Sequence, residues 1–384
     1  MKKVAILSVY DVYNYGSILQ TYATQQIITS LGFENVIIRN DHRSKLAQLK
    51  RLSNLPLLQM KINFLIRDFY VKHINKQLGL YFKSRHDAFN QFIAENLKIS
   101  CDIGDKSGIA QYIKDWDFAL VGSDQVWNPM NLGKDFYTMN FVPKGVKRIT
   151  YAPSFGVSAI PKNQMEKTKQ YLNNIDCISV RETSGQSIIK ELTGKDVPVV
   201  ADPTILMPFD KWEKLVDSHP YNSKPYILCY FLGKNPNHRE FANRLSKKTG
   251  IDIISLPHSD EICKADFDFG NFTPQHVGPK EFVNLVAHAS YVCTDSFHCT
   301  VFSNLFSRQF YSFGRYANAK NVASTNSRIP SLLSILGNHE RFIDSTTPIS
   351  DSLLTPIDYG LVQKNIEKLR LSSLDYLKKA LDLV

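Results

Sequence analysis

The sequence predicts an α/β protein built of two doubly wound, Rossmann-like domains facing a cleft. Three observations predict this. Short β-branched runs, apolar on both faces, alternate with helical patterns along the chain, as covered parallel sheets require. At 384 residues the chain is too long for one small core and suits two domains. Prolines 208, 220 and 225 bracket a polar stretch that separates six predicted strands from four.

The strands before the break are predicted at 4–9, 35–38, 118–121, 148–152, 177–180 and 198–200. Those after it are predicted at 226–231, 252–256, 290–294 and 309–313. The domains are therefore expected at 1–207 and 226–384, joined by 208–225, with a basic helical excursion at 43–100 in the first. Leu19, Ala23, Ile27 and Leu31 form one i,i+4 stripe, widened by Ile18 and Tyr22, and Gly32 is placed to end that helix. Val362, Ile366, Leu369, Leu374, Leu377 and Leu381 predict a long amphipathic helix at the C-terminal end.

Apolar and charged fractions of 43% and 21% exclude a disordered chain. The six cysteines contain no CxxC pair and no zinc spacing, which fits buried thiols of a reducing compartment. The apolar run 4–10 meets Asp11 at once and has no small-residue cleavage site, so it reads as a first strand rather than a signal peptide. No run approaches the roughly 18 apolar residues of a membrane span. A soluble cytoplasmic protein is expected.

A net charge of +10 suggests an anionic partner. Between Arg43 and Arg85 stand ten Lys or Arg, against Asp68 and the neighbouring Asp87. Leu46, Leu49, Leu55, Ile62, Phe64 and other apolar residues are interleaved with them. Two readings fit: a face that lies on an anionic membrane at the inner side of the cell, or an excursion packed on its own domain. The basic residues form no recognisable nucleic-acid module, and no nucleic-acid partner is expected.

Four segments carry the candidate chemistry. The first strand runs into Asn14, Tyr15, Gly16 and Ser17, which open a helix; this is either a plain cap or an anion cradle of free N–H groups. It matches neither a dinucleotide fingerprint nor a P-loop. Gly122 to Asn128 ends another strand, with Asp124, Gln125, Trp127 and Asn128 able to grip a sugar. Arg181 and Glu182 stand at the mouth of a third. They form a solvated pair or an anion site, since the guanidinium fork suits carboxylate and phosphate.

The densest segment is Cys293 to Thr300, where a strand stops at Asp295 and a helix follows. His298 falls in the first turn, where helix dipole and free N–H groups favour negative charge. Adjacent Cys299 makes no dyad with it, because neighbours on a helix point about 100° apart. The ten histidines show no paired metal spacing, so neither a metal nor a cofactor is expected.

Together these segments resemble the polysaccharide pyruvyl transferase family. Its motifs are matched in order by Asn14-Tyr15-Gly16-Ser17, by Gly122 to Asn128, and by Tyr151-Ala152-Pro153-Ser154-Phe155-Gly156. Val180-Arg181-Glu182, Asp202-Pro203-Thr204, Thr294-Asp295-Ser296-Phe297-His298 and Asn326-Ser327-Arg328-Ile329 continue the series. The resemblance spans about residues 4–340. It implies a fold like that of the GT-B glycosyltransferases. The implied reaction moves the pyruvyl group of phosphoenolpyruvate onto two hydroxyls of one sugar, forming a ketal and releasing phosphate.

By that resemblance Arg181 binds the donor and His298 is catalytic. A branch of the family has Arg where this chain has Ser296, so donor-binding charge must come from elsewhere, with Arg308, Arg315 and Arg328 as candidates. The expected site therefore has His298 and Asp124 as catalytic groups. Its donor residues are Arg181, Ser296, Phe297, Cys299 and Arg328. Its acceptor residues are Asn14, Tyr15, Gly16, Ser17, Gln125, Trp127 and Asn128. The expected acceptor is a saccharide, lipid-linked, of a surface polysaccharide precursor. Two rivals are a GT-B glycosyltransferase using a nucleotide sugar and a non-catalytic anion- or carbohydrate-binding protein.

Overall fold

The computed structural model describes residues 1–40, 69, 73, 75–130, 135–217, 224–258, 262–266, 268–315 and 328–384. Two parallel four-stranded sheets form its framework. The first contains β1 (Lys3–Leu7), β2 (Glu34–Ile37), β3 (Phe118–Val121) and β4 (Lys147–Thr150) in the order β2-β1-β3-β4. The second contains β5 (Tyr226–Tyr230), β6 (Asp252–Leu256), β7 (Tyr291–Thr294) and β8 (Gln309–Ser312) in the order β6-β5-β7-β8. Each strand order reverses once, and the carboxyl ends of the strands around that reversal are where open α/β sheets place their ligands.

Two predicted strands are shorter than expected. Segments 177–180 and 198–200 extend the first sheet only through the single bridges Ile149↔Cys177 and Val180↔Val199. The cause is chemical: Pro198 has no N–H for a ladder. Val180 N donates to its carbonyl at 3.1 Å, and the pairing goes no further than Val200 N to Val180 O at 2.8 Å.

Helix α1 (Tyr15–Ser30) follows β1, with the Asn14 side chain accepting from Ser17 N as its cap. It is buried on almost every side because it lies between its own sheet and the second half of the chain. Tyr15 stacks on Phe282 at 4.5 Å between ring centroids and donates to Val277 O at 3.0 Å. One buried cluster takes Ile6, Leu19 and Phe89 from the first half and Leu228, Phe282 and Phe302 from the second. The halves thus share one apolar interior. Burial of this kind is worth about 25 cal/mol per Å² of apolar surface.

The basic excursion was read above as a membrane face or as packing on its own domain. Residues 43–68 lie outside the described residues. Helix α2 (Lys76–Asn96) lies against both halves. Arg85 is fully buried there, with Nη1 donating to Tyr81 Oη and to Pro257 O at 2.9 and 2.6 Å and Nη2 to Tyr15 Oη. It contributes nothing to a surface patch. Among the described residues no helix is long and apolar enough to cross a membrane.

The remaining helices of the first half are α3 (Lys106–Ile113), α4 (Met165–Asn173), α5 (Thr183–Thr193) and the short α6 (Pro203–Leu206). The described part of the expected linker carries a further helix, α7 (Phe209–Glu213), which is docked rather than free. Trp212 is fully buried, donates to Thr204 O at 2.9 Å and meets Phe302 edge-on.

The second half adds α8 (Pro236–Thr249), α9 (Pro279–His288), α10 (Phe297–Leu305), α11 (Arg328–Leu336) and α12 (Tyr359–Ala380). Helix α12 buries Val362, Ile366 and Leu377, as its stripe predicts. It then reaches back to the first half, where Tyr376 Oη donates to Thr150 O and Ser373 Oγ accepts from Ala201 N.

Candidate active site

A cleft of about 190 Å³ opens between the halves at the carboxyl ends of β1, β3, β7 and β8. The first half lines it with Asn14, Ser17, Asp124 and Gln125; the second supplies Leu232, Ser296, Phe297, His298, Arg315 and Arg328.

Each wall follows from local structure. Asp124 sits three residues past the end of β3 with φ +75°, a left-handed conformation that Asp adopts more readily than most residues. The turn is held because Asp124 O accepts from Ser154 N at 2.8 Å and its Oδ1 from Gln125 N at 2.8 Å. The other carboxylate oxygen, Oδ2, accepts from Ser17 Oγ at 2.5 Å, which joins the first turn of α1 to this loop. Burial opposes ionisation of Asp124. The charges of His298 and Arg181 with the Ser17 hydrogen bond outweigh it and hold the carboxyl below its usual range.

Across the cleft, β7 ends in Asp295, whose carboxylate accepts from Leu232 N and Gly233 N at 2.6 and 2.8 Å. That ties the β5–α8 loop in place. Ser296 then caps α10, its Oγ accepting from Cys299 N at 3.4 Å. Phe297 and His298 leave the first turn toward the first half. Cys299 points the other way into the apolar interior, where burial pushes its thiol up to about 12.

His298 is 6% exposed and sits on Gly16, where a β-carbon would lie 2.0 Å from Nδ1. Only glycine allows that approach. The opposite nitrogen, Nε2, stands 3.4 Å from Oδ2 of Asp202, a charge contact outside hydrogen-bond geometry. The same oxygen accepts from Arg181 Nη1 at 2.6 Å and Ser123 Oγ at 2.9 Å. Arg181 and His298, expected to share a site, meet on one carboxylate.

Arg181 does not itself line the cleft. Its guanidinium lies behind Phe297, 4.4 Å from the ring centre, with Nε 3.9 Å from Glu182 Oε2. Its charge is largely answered by Asp202 and Glu182. Glu182 Oε1 in turn accepts from Ser154 Oγ and Phe155 N, so Glu182 belongs to the buried frame rather than to a solvated pair.

The cations that do face the cleft are Arg315 and Arg328. Arg328 lies over Phe297 at 5.9 Å. With the Gln125 amide oxygen turned toward it, Arg328 donates from Nη1 and Nη2 at 2.8 and 2.6 Å. Burial, reinforced by the like charges of Arg181 and Arg315, pushes Arg328 down to about 9. A guanidinium keeps its proton at neutral pH. The unfavourable field is therefore a standing preference for an anion. Arg308, the third candidate, is turned away, with Nε donating to Phe306 O.

Several expected residues lie elsewhere. Tyr15 is a core residue between the halves. Trp127 is fully buried, packed at a tilt against Phe155 and Tyr171, with Nε1 donating to Tyr137 O at 3.1 Å. Asn128 is buried and spends Oδ1 on Met130 N. Neither Trp127 nor Asn128 lines the cleft. Asn326 and Ser327 lie outside the described residues. Sequence reasoning gave no role to Asp202 or Ser123. Their only signal was an Asp before Pro-Thr and a small residue beside Asp124.

Away from the cleft, His258, Cys263 and Asp266 bring one ligand atom each within 4.8 Å. Arg239 Nη2 hydrogen-bonds to Asp266 Oδ1, and its charge opposes a cation there.

The S. aureus MnaA–UDP co-structure aligns over 100% of this chain and 98% of that one, at 14% identity and a TM-score of 0.51. This likeness shows a GT-B-like two-domain α/β fold. UDP-GlcNAc 2-epimerase from Neisseria meningitidis, bound to UDP-GlcNAc, aligns over 97% and 99% at 11% identity and a TM-score of 0.48. The glycosyltransferase SnogD from Streptomyces nogalater aligns over 100% and 98% at 12% identity and 0.42. Among curated protein sequences nothing matches. The family model described as polysaccharide pyruvyl transferase matches residues 14–316, from the cap of α1 past Arg315, which takes in almost every wall of the cleft. The chain belongs to the polysaccharide pyruvyl transferase family.

Proposed function

We propose that the protein transfers the pyruvyl group of phosphoenolpyruvate to two hydroxyls of a saccharide, forming a cyclic ketal and releasing phosphate. The observation that carries this reading is the charge of the cleft. Arg315 and Arg328 face a small cavity beside the N-terminus of α10 and one imidazole, and among the described residues no carboxylate hydrogen bond compensates the charge of Arg328. Such a site suits a compact donor carrying a carboxylate and a phosphate. At about 190 Å³ it lies below the roughly 300–1,000 Å³ that drug-sized ligands occupy. A nucleotide sugar is larger still.

The chemistry needs few groups. Protonation of the donor's methylene carbon makes C2 electrophilic, and a sugar oxygen adds to C2 as its proton leaves. The second hydroxyl then displaces phosphate from C2, and its proton departs with the leaving group or to solvent. His298 is the group able to carry protons at this centre, a role worth typically 10²–10⁴-fold. Arg328 and Arg315 hold the anionic ends of the donor. Asp124, ionised and hydrogen-bonded to Ser17, orients the acceptor hydroxyl.

The test is acceptor-dependent release of inorganic phosphate from phosphoenolpyruvate by the purified protein, with the product ketal identified by mass. Release of UDP or GDP from nucleotide sugars under the same conditions, with phosphoenolpyruvate untouched, would establish the glycosyltransferase instead.

A further inference from the structure

We infer that Asp202 is the positioning residue of this site: a carboxylate of the first half that fixes His298 of the second and couples its placement to Arg181. The inference rests on the pyruvyl transfer proposed above.

The two oxygens of Asp202 have separate duties. Oδ1 is spent locally, capping α6 by accepting from Thr204 N at 3.0 Å and Thr204 Oγ1 at 2.7 Å. Oδ2 is the meeting point. Ser123 Oγ and Arg181 Nη1 donate to it from the first half, and His298 Nε2 approaches at 3.4 Å from the second. The side chain is completely buried, where a carboxylate is tolerated only if its charge is answered. Burial opposes its ionisation, but His298, Arg181 and the Thr204 hydrogen bonds hold the carboxyl well below the usual range.

Three consequences follow for His298. Its ring is trapped between Gly16 on one edge and Asp202 on the other, so its plane is set by the first half although its backbone belongs to the second. An acceptor at Nε2 keeps a proton on that nitrogen. The contact at 3.4 Å lies within reach but outside hydrogen-bond geometry, and catalytic contacts of this kind tighten when substrate is bound. Arg181 is fixed by the same oxygen, and its Nε and Nη2 have no hydrogen-bond partner among the described residues. A single carboxylate thus registers the imidazole of one half against the guanidinium of the other.

The decisive variant is Asp202→Asn. It keeps the volume and the Oδ1 cap but turns an NH₂ toward Arg181 and His298. Acceptor-dependent phosphate release should lose on the order of 100-fold in kcat, the scale of general acid–base assistance. The KM for phosphoenolpyruvate should stay within about threefold, since the donor's anionic ends rest on Arg315 and Arg328. Asp202→Glu, which restores the charge, should recover part of kcat. A kcat within about threefold of the parent, or a loss carried wholly by KM, overturns the inference.

A second measurement needs no substrate and no folded Asp202 variant. In the unmodified protein, long-range ¹H–¹⁵N correlation, with the His298 ring assigned by comparison with His298→Gln, should find the proton on Nε2. A neutral ring protonated only on Nδ1 overturns the inference. If the parent protein releases no phosphate from phosphoenolpyruvate, the reaction fails while this nitrogen measurement still decides the role of Asp202.

Discussion

The α-carbon of Gly16 and the imidazole of His298 are in direct contact across the two halves, so close that a β-carbon on Gly16 would overlap Nδ1 at 2.0 Å. The motif glycine at the start of α1 is therefore a seat for a side chain from the other domain. It is not needed for a turn, since the helix is capped by Asn14. Gly16→Ala should push the ring off Asp202 while leaving α1 intact. Misplacing a catalytic group by about 1 Å can cost 10²-fold. The expected outcome is a kcat lower by roughly that factor, with circular dichroism and cooperative unfolding preserved. Unchanged kcat would show that the seat is irrelevant to turnover.

Arg328 should govern donor affinity. Hydrogen bonds to charged groups contribute about 1.5–3 kcal/mol, so Arg328→Ala should raise the KM for phosphoenolpyruvate roughly 10- to 100-fold. Arg328→Lys keeps the charge and loses the paired contact with Gln125, so it should fall between. Steady-state kinetics at two salt concentrations provide the check. An effect on kcat with KM unchanged would remove Arg328 from the donor site.

Acid should weaken the centre. Asp124 and Asp202 both have folded values held below the ordinary carboxyl value of about 3.9. Such groups contribute stability that is fully present above that value and is lost as pH falls through the folded one. Removing one partner of a buried charge cluster costs about 3–5 kcal/mol, so Asp202→Asn should be less stable than the parent by that order at neutral pH. The gap should narrow once the pH drops below about 4, because the parent then begins to lose the same contribution. Urea unfolding of both proteins across that range measures it. A gap that widens in acid contradicts the sign.

What was legible in the sequence were the local features. The strand runs, the cap at Asn14 and the helix start at Ser296 depend on neighbours within a few residues, and the structure has them at the expected places except at 177–180 and 198–200, which form single bridges. Motif order pointed to His298 and Arg181, which the fold brings to one oxygen of Asp202. That oxygen was not legible: Ser123 and Asp202 are distant in the chain and meet only in the folded first half, and His298 reaches them only by packing between halves.

Charge counting left Arg85 open. It was counted in a basic excursion that could lie on a membrane or pack on its own domain, and its guanidinium is buried on two tyrosine hydroxyls and a carbonyl. Tyr15 and Trp127 stand inside polar motifs, and nothing local tells whether an aromatic there faces a ligand or the core. The three-dimensional neighbours Phe282, Phe155 and Tyr171 decide it.

That distinction can be measured at Trp127. Its indole is fully buried and its Nε1–H is satisfied by Tyr137 O, so it supports the loop that carries Asp124 and Gln125 without reaching the cleft. Trp127→Ala should cost about 3–5 kcal/mol of stability, the usual loss for a large core aromatic. Trp127→Phe keeps much of the volume and forfeits the hydrogen bond, so its cost should be smaller, about 1–3 kcal/mol. Because the ring touches no substrate, folded Trp127→Phe should keep its acceptor KM within about twofold, any loss of turnover appearing in kcat through a loosened Asp124. Gln125→Ala should do the opposite, leaving stability nearly unchanged and shifting substrate affinity. A large rise in acceptor KM for Trp127→Phe, with stability intact, would return the indole to the binding surface.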